Sequence, residues 1–349
     1  MIRTNIARAQ KNGAEAAPHI VAWHCRRAAS LPEVIASVVA TVVLMATVLP
    51  ALATVAREGK SGQCLSNLGR IAHATAVYSA MDPGEAALPV HGLQLEQDSR
   101  NPSFIGAYEW GGKSGIGKLS ISTVDVLTSR YGTFAGFGPA SRPLNKIIFK
   151  EPFSDYKKLD DRAGMMEDTQ LDLPTFRCPS DIGYAGVHFP DFRDEGHTSY
   201  DHFGTSYTAN MFMISSGGGP MFSNSPYLHK VPQIPDPATT LAYYENCGRY
   251  AWSAGAMNKD CLFIGSGIPG TVRGWHGADW IFNAAFIDGH IGSIYMRGFH
   301  NPDIAVGGFF QCIIVRGDGW QKDTLPAPLV ATGLPFPGHG RPSWEGGIE

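Results

Sequence analysis

The chain has 349 residues, 44% of them hydrophobic and 17% charged, a globular composition long enough for one large domain or two small ones. Its 41 glycines and 24 prolines call for many turns and lean toward β structure. The net charge of −3 is unevenly placed: residues 1–28 carry five cations against one anion, the remainder 23 against 30, and this acidic remainder has no basic patch for a nucleic acid.

Residues 1–28 read as a polar basic leader. Between Glu33 and Arg57 lie 23 residues, 34–56, without a charge. An apolar run of about 20 residues spans a bilayer core as a helix. Cations ahead of such a run stay in the cytoplasm, so the N-terminus is expected inside and the rest of the chain on the far side. Glu33 sits at the lip of the run, where a charge is costly to desolvate, so the acid calls for a partner.

Helical spacing continues over 57–81. Leu65, Leu68, Ala72 and Ala76 recur at three- and four-residue steps, with Ile71, Ala74 and Tyr78 beside them. Gly59 and Gly62 weaken this stretch by roughly 1 kcal/mol each relative to alanine. Asp82-Pro83-Gly84 is a stop signal.

From residue 84 short apolar runs alternate with Gly, Pro, Asn and Asp. Strands are expected at 119–127, 146–149, 239–245, 280–287, 291–296 and 309–315. Asp288-Gly289 between two alternating runs is a hairpin signal. Residues 320–349 are rich in Pro and Gly, lack periodicity, and read as an irregular tail. The expected fold class is therefore α+β: a long hydrophobic helix over 29–83, its membrane part at about 34–56, packed on an antiparallel sheet within a β-rich domain over 84–319 that carries long loops.

Five of the six cysteines lie after the apolar run, an odd number, so at least one is free or pairs between chains. No CxxC occurs, and no Cys/His spacing resembles a zinc site, so neither a metal centre nor a cofactor is expected from the sequence. Two disulfides are candidates: Cys64 with Cys178, which would pin the domain to the helix, and Cys247 with Cys261, which would close a short loop. Asp191, Asp194 and Glu195, with Asp201, His197 and His202 near them, cluster charge. They are a solvated loop or, in the functional reading, a Ca2+ loop. Trp110, Trp252, Trp275, Trp280 and Trp320 are core residues or a sugar-stacking surface. His276, Asp288 and His290 offer an acid and a base, but no nucleophile with its own signature accompanies them, so the chain is not expected to be an enzyme.

The N-terminus admits three readings. Ala51-Leu52-Ala53 offers an A-x-A site for a cleaved signal peptide. An uncleaved signal anchor is the second. In the third, residues 28–34, Ala-Ala-Ser-Leu-Pro-Glu-Val, resemble a prepilin processing site. Cleavage between Ala28 and Ala29 makes Glu33 the fifth residue and Pro50 the twenty-second, where pilins often carry a helix-breaking proline. The chain departs from the pattern in having Ala28 for the usual Gly and Ala29 for the usual Phe.

Further pieces extend the likeness. Cys64-Leu65-Ser66-Asn67-Leu68, Arg142-Pro143-Leu144-Asn145, Cys178-Pro179-Ser180-Asp181, and His276 followed by Asn283 and Asp288-Gly289 occur in that order. Together they resemble the pilin-like proteins abundant in planctomycetes and their relatives, which pair a prepilin-type N-terminus with a C-terminal His…Asp-Gly domain. Eleven residues, 277–287, separate His276 from Asp288, two more than is usual in that family. The resemblance implies a single-pass inner-membrane subunit, cut by a prepilin peptidase and N-methylated, with its C-terminal domain periplasmic or extracellular. Its helix would assemble with other pilin-like subunits into a type II secretion or type IV pilus-like filament. There Glu33 would pair with a mature N-terminal amine, and Pro50 would permit local bending. From another class, the alternative is a membrane-anchored or secreted surface protein that binds a glycan.

Overall fold

The structure, a computed structural model, describes residues 30–93, 107–117, 129, 131–156, 161–183, 197–210, 226, 229–250, 273–300 and 312–316. The leader with Ala28 and Ala29, the acidic cluster Asp191, Asp194 and Glu195, Cys261, the strand expected at 119–127 and the tail at 320–349 lie outside them. By internal contacts the chain divides into two units, residues 1–53 and 54–349.

Helix α1, Leu31–Met81, is one uninterrupted α-helix that runs through Pro50. In the first unit every described residue is exposed. This stretch is long and apolar enough to cross a membrane. Its hydroxyls are satisfied within the helix: Ser37 Oγ donates to Val34 O at 2.8 Å, Thr41 Oγ1 to Ser37 O at 2.8 Å and Thr47 Oγ1 to Leu44 O at 3.0 Å. Such back-bonding lets a polar side chain enter a solvent that offers no hydrogen bonds.

In the second unit the same helix becomes a core element. Cys64, Asn67, Leu68, Ile71, Ala72, Ala74 and Thr75 are buried. The apolar spacing centred the buried stripe on Leu65, Leu68, Ala72 and Ala76, but Leu65 is only half-buried and Ala76 is exposed. Partners elsewhere in the domain turn the face toward the small and polar residues. Asn67 Nδ2 donates to Pro174 O at 2.8 Å and to Arg177 O at 3.0 Å. The helix ends at the expected stop, where Asp82 Oδ2 accepts from Ala86 N at 3.0 Å.

The second unit carries a five-stranded sheet in the order β1 (Tyr207–Ala209), β2 (Leu241–Glu245), β3 (Ile281–Phe286), β4 (Ile291–His300), β5 (Cys312–Arg316), with every neighbouring pair antiparallel. The α+β layout is thus as expected. β4 is longer than its apolar run suggested, because its first half pairs with β3 and its second half with β5. β3 and β4 form the predicted hairpin. Gly289 holds φ 93°, and Asp288 Oδ1 accepts from His290 N at 3.1 Å. β2 is buried along its whole length, as befits a central strand. A bulge between Leu241 and Tyr243 sets two β2 residues against one step of β3.

The strand expected at 146–149 is instead a helical turn, α2, Asn145–Ile148. Leu144 O takes Ile148 N at 2.9 Å, and the Asn145 side chain is tied to Gly112 in both directions, at 2.8 and 2.7 Å. A backbone engaged in this way is not free to pair as a strand. Two further α-helices are α3, Arg162–Gln170, and α4, Ser199–Phe203.

Arg142 ties several loops together. It is fully buried, and its guanidinium donates to five backbone carbonyls: Phe137 (3.0 Å), Tyr108 (3.0 Å), Gly111 (2.6 Å), Tyr131 (2.7 Å) and Phe203 (3.2 Å). Loop carbonyls that leave water must find donors, and a planar fork with five N–H groups supplies them at one point. Burial brings its pKa down to about 10, against the pull of Glu109.

Candidate functional site

The sheet, helix α1 and two loops bring four chemically active side chains together. Cys64 lies on the buried face of α1 and Glu245 closes β2. Cys178 follows the short turn Pro174–Phe176, and His276 lies in the turn leading to β3. Their ligating atoms all lie within 4.8 Å of one another. Cys64 Sγ is 3.1 Å and Cys178 Sγ 3.6 Å from Glu245 Oε1. His276 Nε2 is 2.7 Å from the same oxygen and 3.5 Å from Cys178 Sγ.

Each member is held by its own local structure. Glu245 Oε2 accepts from Asn283 N of the adjacent strand at 2.9 Å, which leaves Oε1 for the cluster. The Cys178 loop is anchored by Cys178 N, which donates to the Ser206 side-chain Oγ at 3.0 Å. Asp181 anchors the same loop. Its carboxylate accepts from Ser206 Oγ, Gly183 N, Ser199 N and Tyr200 N at 2.6–3.0 Å. Burial raises the Asp181 pKa to about 6 even against these donors. The His276 turn is tight: Gly277 N donates to Gly274 O at 2.8 Å, and Gly277 takes φ 83°, a region that favours glycine. Trp275 Nε1 ties this turn to Gly183 O at 2.9 Å. Tyr207 O–H points at Cys64 Sγ from β1, at 3.5 Å.

The cluster is closed to solvent. Cys64 and Glu245 have no accessible surface, and the His276 side chain retains 11%. Burial lowers the basicity of His276, but the hydrogen bonds and charges of Cys64 and Glu245 outweigh it and raise its pKa to about 9. Burial, with Cys64 and Glu245 adding to it, pushes the Cys178 thiol up.

Several expectations are redirected by these positions. Cys64 and Cys178 do meet, as free thiols, and Cys247 is a buried free thiol. His276 pairs with Glu245 rather than with Asp288. Asp288 sits at the other end of β3 and binds His290 Nδ1 at 2.6 Å, on the surface. Asn283 supports the cluster through its backbone, and its side chain reaches Ser61 of α1 and Ser293 of β4 at 3.2 and 2.7 Å. Asp201, counted in the acidic cluster, lies in the first turn of α4, where Thr198 Oγ1 caps its N–H at 3.0 Å, and its carboxylate pairs with Lys113 at 2.6 Å. Trp110 and Trp280 are buried, so they offer no face to a sugar. Glu245 is the site residue that sequence reasoning missed: it ends an apolar strand, and its spacing to the cysteines and His276 follows no motif. No family model, curated protein or solved structure matches the chain.

Proposed function

We propose that the chain is a pilin-like structural subunit, anchored by residues 34–56 of α1 in the inner membrane and able to assemble through that helix. The carrying observation is the division of labour within one helix. Val38, Val42, Leu49 and the other large apolar residues of the first unit are exposed along a continuous helix, whereas Cys64 to Thr75 form the spine of the folded domain. An exposed apolar surface of this size calls for lipid or for neighbouring helices. In the same reading Glu33, which accepts from Ser30 N at 2.8 Å at the start of the helix, holds a carboxylate where processing after Ala28 would create an amine. An amine of a neighbouring subunit would then offset its charge and set the axial register. The cations of residues 1–28 would keep the N-terminus in the cytoplasm, with the second unit on the far side.

Mass spectrometry of the mature N-terminus tests the proposal. N-methylated Ala29 is expected, and a chain beginning at Thr54 would identify a secreted signal-peptide product instead. Filaments imaged in cells that express the wild-type chain, and missing with Glu33→Ala at equal membrane content, are the second expected outcome.

A further inference from the structure

We propose that Cys64, Cys178, Glu245 and His276 bind one divalent transition metal of the zinc class, as a structural site that fastens helix α1 to the domain. The inference is independent of how the first unit of the chain is used.

The donor set selects the metal. Two cysteine sulfurs and an imidazole favour a borderline-soft ion over Ca2+ or Mg2+, which take oxygen ligands. The carboxylate completes a set of four, the number zinc takes in structural sites. The geometry is close to what such an ion needs. With Zn–S near 2.3 Å and Zn–N or Zn–O about 2.0–2.2 Å, tetrahedral edges come to roughly 3.3–3.8 Å. The measured edges are 3.1 Å (Cys64 to Glu245), 3.6 Å (Cys178 to Glu245), 3.5 Å (Cys178 to His276) and 2.7 Å (His276 to Glu245). Of these four, only the shortest must open by more than a few tenths of an ångström, and both its ends are side-chain termini; the Cys64–Cys178 and Cys64–His276 edges lie within 4.8 Å.

The surroundings also suit a metal. Outer partners that orient ligands are a regular part of metal sites. Here Asn283 N holds Glu245 Oε2, leaving Oε1 as the single ligating oxygen, and Tyr207 O–H approaches Cys64 Sγ. With four protein donors and almost no solvent access, the site leaves no position for a substrate, which marks it as structural rather than catalytic. Binding takes both sulfurs as thiolates and His276 as the neutral imidazole, and releases their protons to the buffer. The bound ion would join four segments that the chain separates by up to 212 positions, from Cys64 to His276.

The test uses the full chain in detergent, reduced, stripped with chelator and then given Zn2+ or Co2+ alone. One zinc per chain should survive gel filtration and raise the melting temperature. Co2+ should give tetrahedral d–d bands with sulfur-to-cobalt charge transfer, and the charge transfer should weaken in Cys178→Ser. His276→Gln and Glu245→Gln should each weaken binding by about tenfold or more. A reduced wild-type chain with a native circular dichroism spectrum and no cobalt bands overturns the proposal without reference to any variant. So does a native chain isolated with a Cys64–Cys178 disulfide and no metal, which would assign the two sulfurs to each other.

Discussion

The hydroxyls of Thr75 and Tyr243 meet at 2.8 Å inside the core, joining helix α1 to the central strand β2. Thr75 Oγ1 also donates to Ile71 O at 2.9 Å, so the Tyr243 hydroxyl is the donor of the pair. Burial pushes the Tyr243 pKa up, and the phenol stays protonated. Tyr243→Phe should cost about 1 kcal/mol, the net worth of one buried hydrogen bond. Thr75→Val should cost about 1–3 kcal/mol, because it leaves a buried hydroxyl without its acceptor. The double variant should cost less than the sum of the two. Chemical denaturation of all four chains measures the coupling.

Arg142 makes a sharper prediction. Arg142→Met keeps much of the volume but removes the guanidinium donors from five buried carbonyls, of which Tyr131 O keeps Gly115 N at 2.9 Å. The expected loss is about 4 kcal/mol or more. Arg142→Lys should fall between the variant and the wild type, since one ammonium keeps the charge but has three donors for five acceptors. Equal midpoints for lysine and methionine would show that the charge, not the fork, is irrelevant to the fold.

His202 is buried among Tyr131 and Phe203, and burial, with the charge of His197 adding to it, lowers its pKa to about 3. Its folded pKa lies below its unfolded value, so between about pH 6.5 and pH 3 the unfolded chain binds the extra proton. Stability is therefore lost as pH falls through that window, by up to about 1.4 kcal/mol per pH unit. His91, lowered to about 4, adds to this trend, while Asp168 and Asp181, each raised to about 6, oppose it. The comparison with His202→Gln cancels those other groups. The stability advantage of the wild type over that variant should shrink as pH falls from 6.5 to 4, as followed by thermal unfolding.

Gly59 and Gly62 lie in exposed turns of α1, and a Cβ at either meets nothing within 4 Å. Gly59→Ala and Gly62→Ala should each stabilise by about 0.5–1 kcal/mol, because alanine loses less backbone freedom on entering the helix. An unchanged melting temperature in the double variant would mean that this stretch of helix does not take part in the cooperative transition.

Local signals determined much of the architecture from the sequence alone. The uncharged run after Glu33, the stop at Asp82-Pro83-Gly84 and the Asp288-Gly289 hairpin each follow from the preferences of neighbouring residues, and the structure has a helix, a helix end and a turn at those places. Only the tertiary structure decided which face of α1 is buried, because Cys64, Asn67 and Thr75 look too polar for a core until their partners are placed. It also decided that Arg142 is a hub and that residues 145–148 turn rather than extend. Most of all, it decided the meeting of Cys64 with Glu245, 181 positions apart and 3.1 Å from each other. No spacing rule reaches across that distance. The contact exists because a helix, a central strand and two loops pack around one core, and packing, unlike helix or turn propensity, is a property of the whole chain.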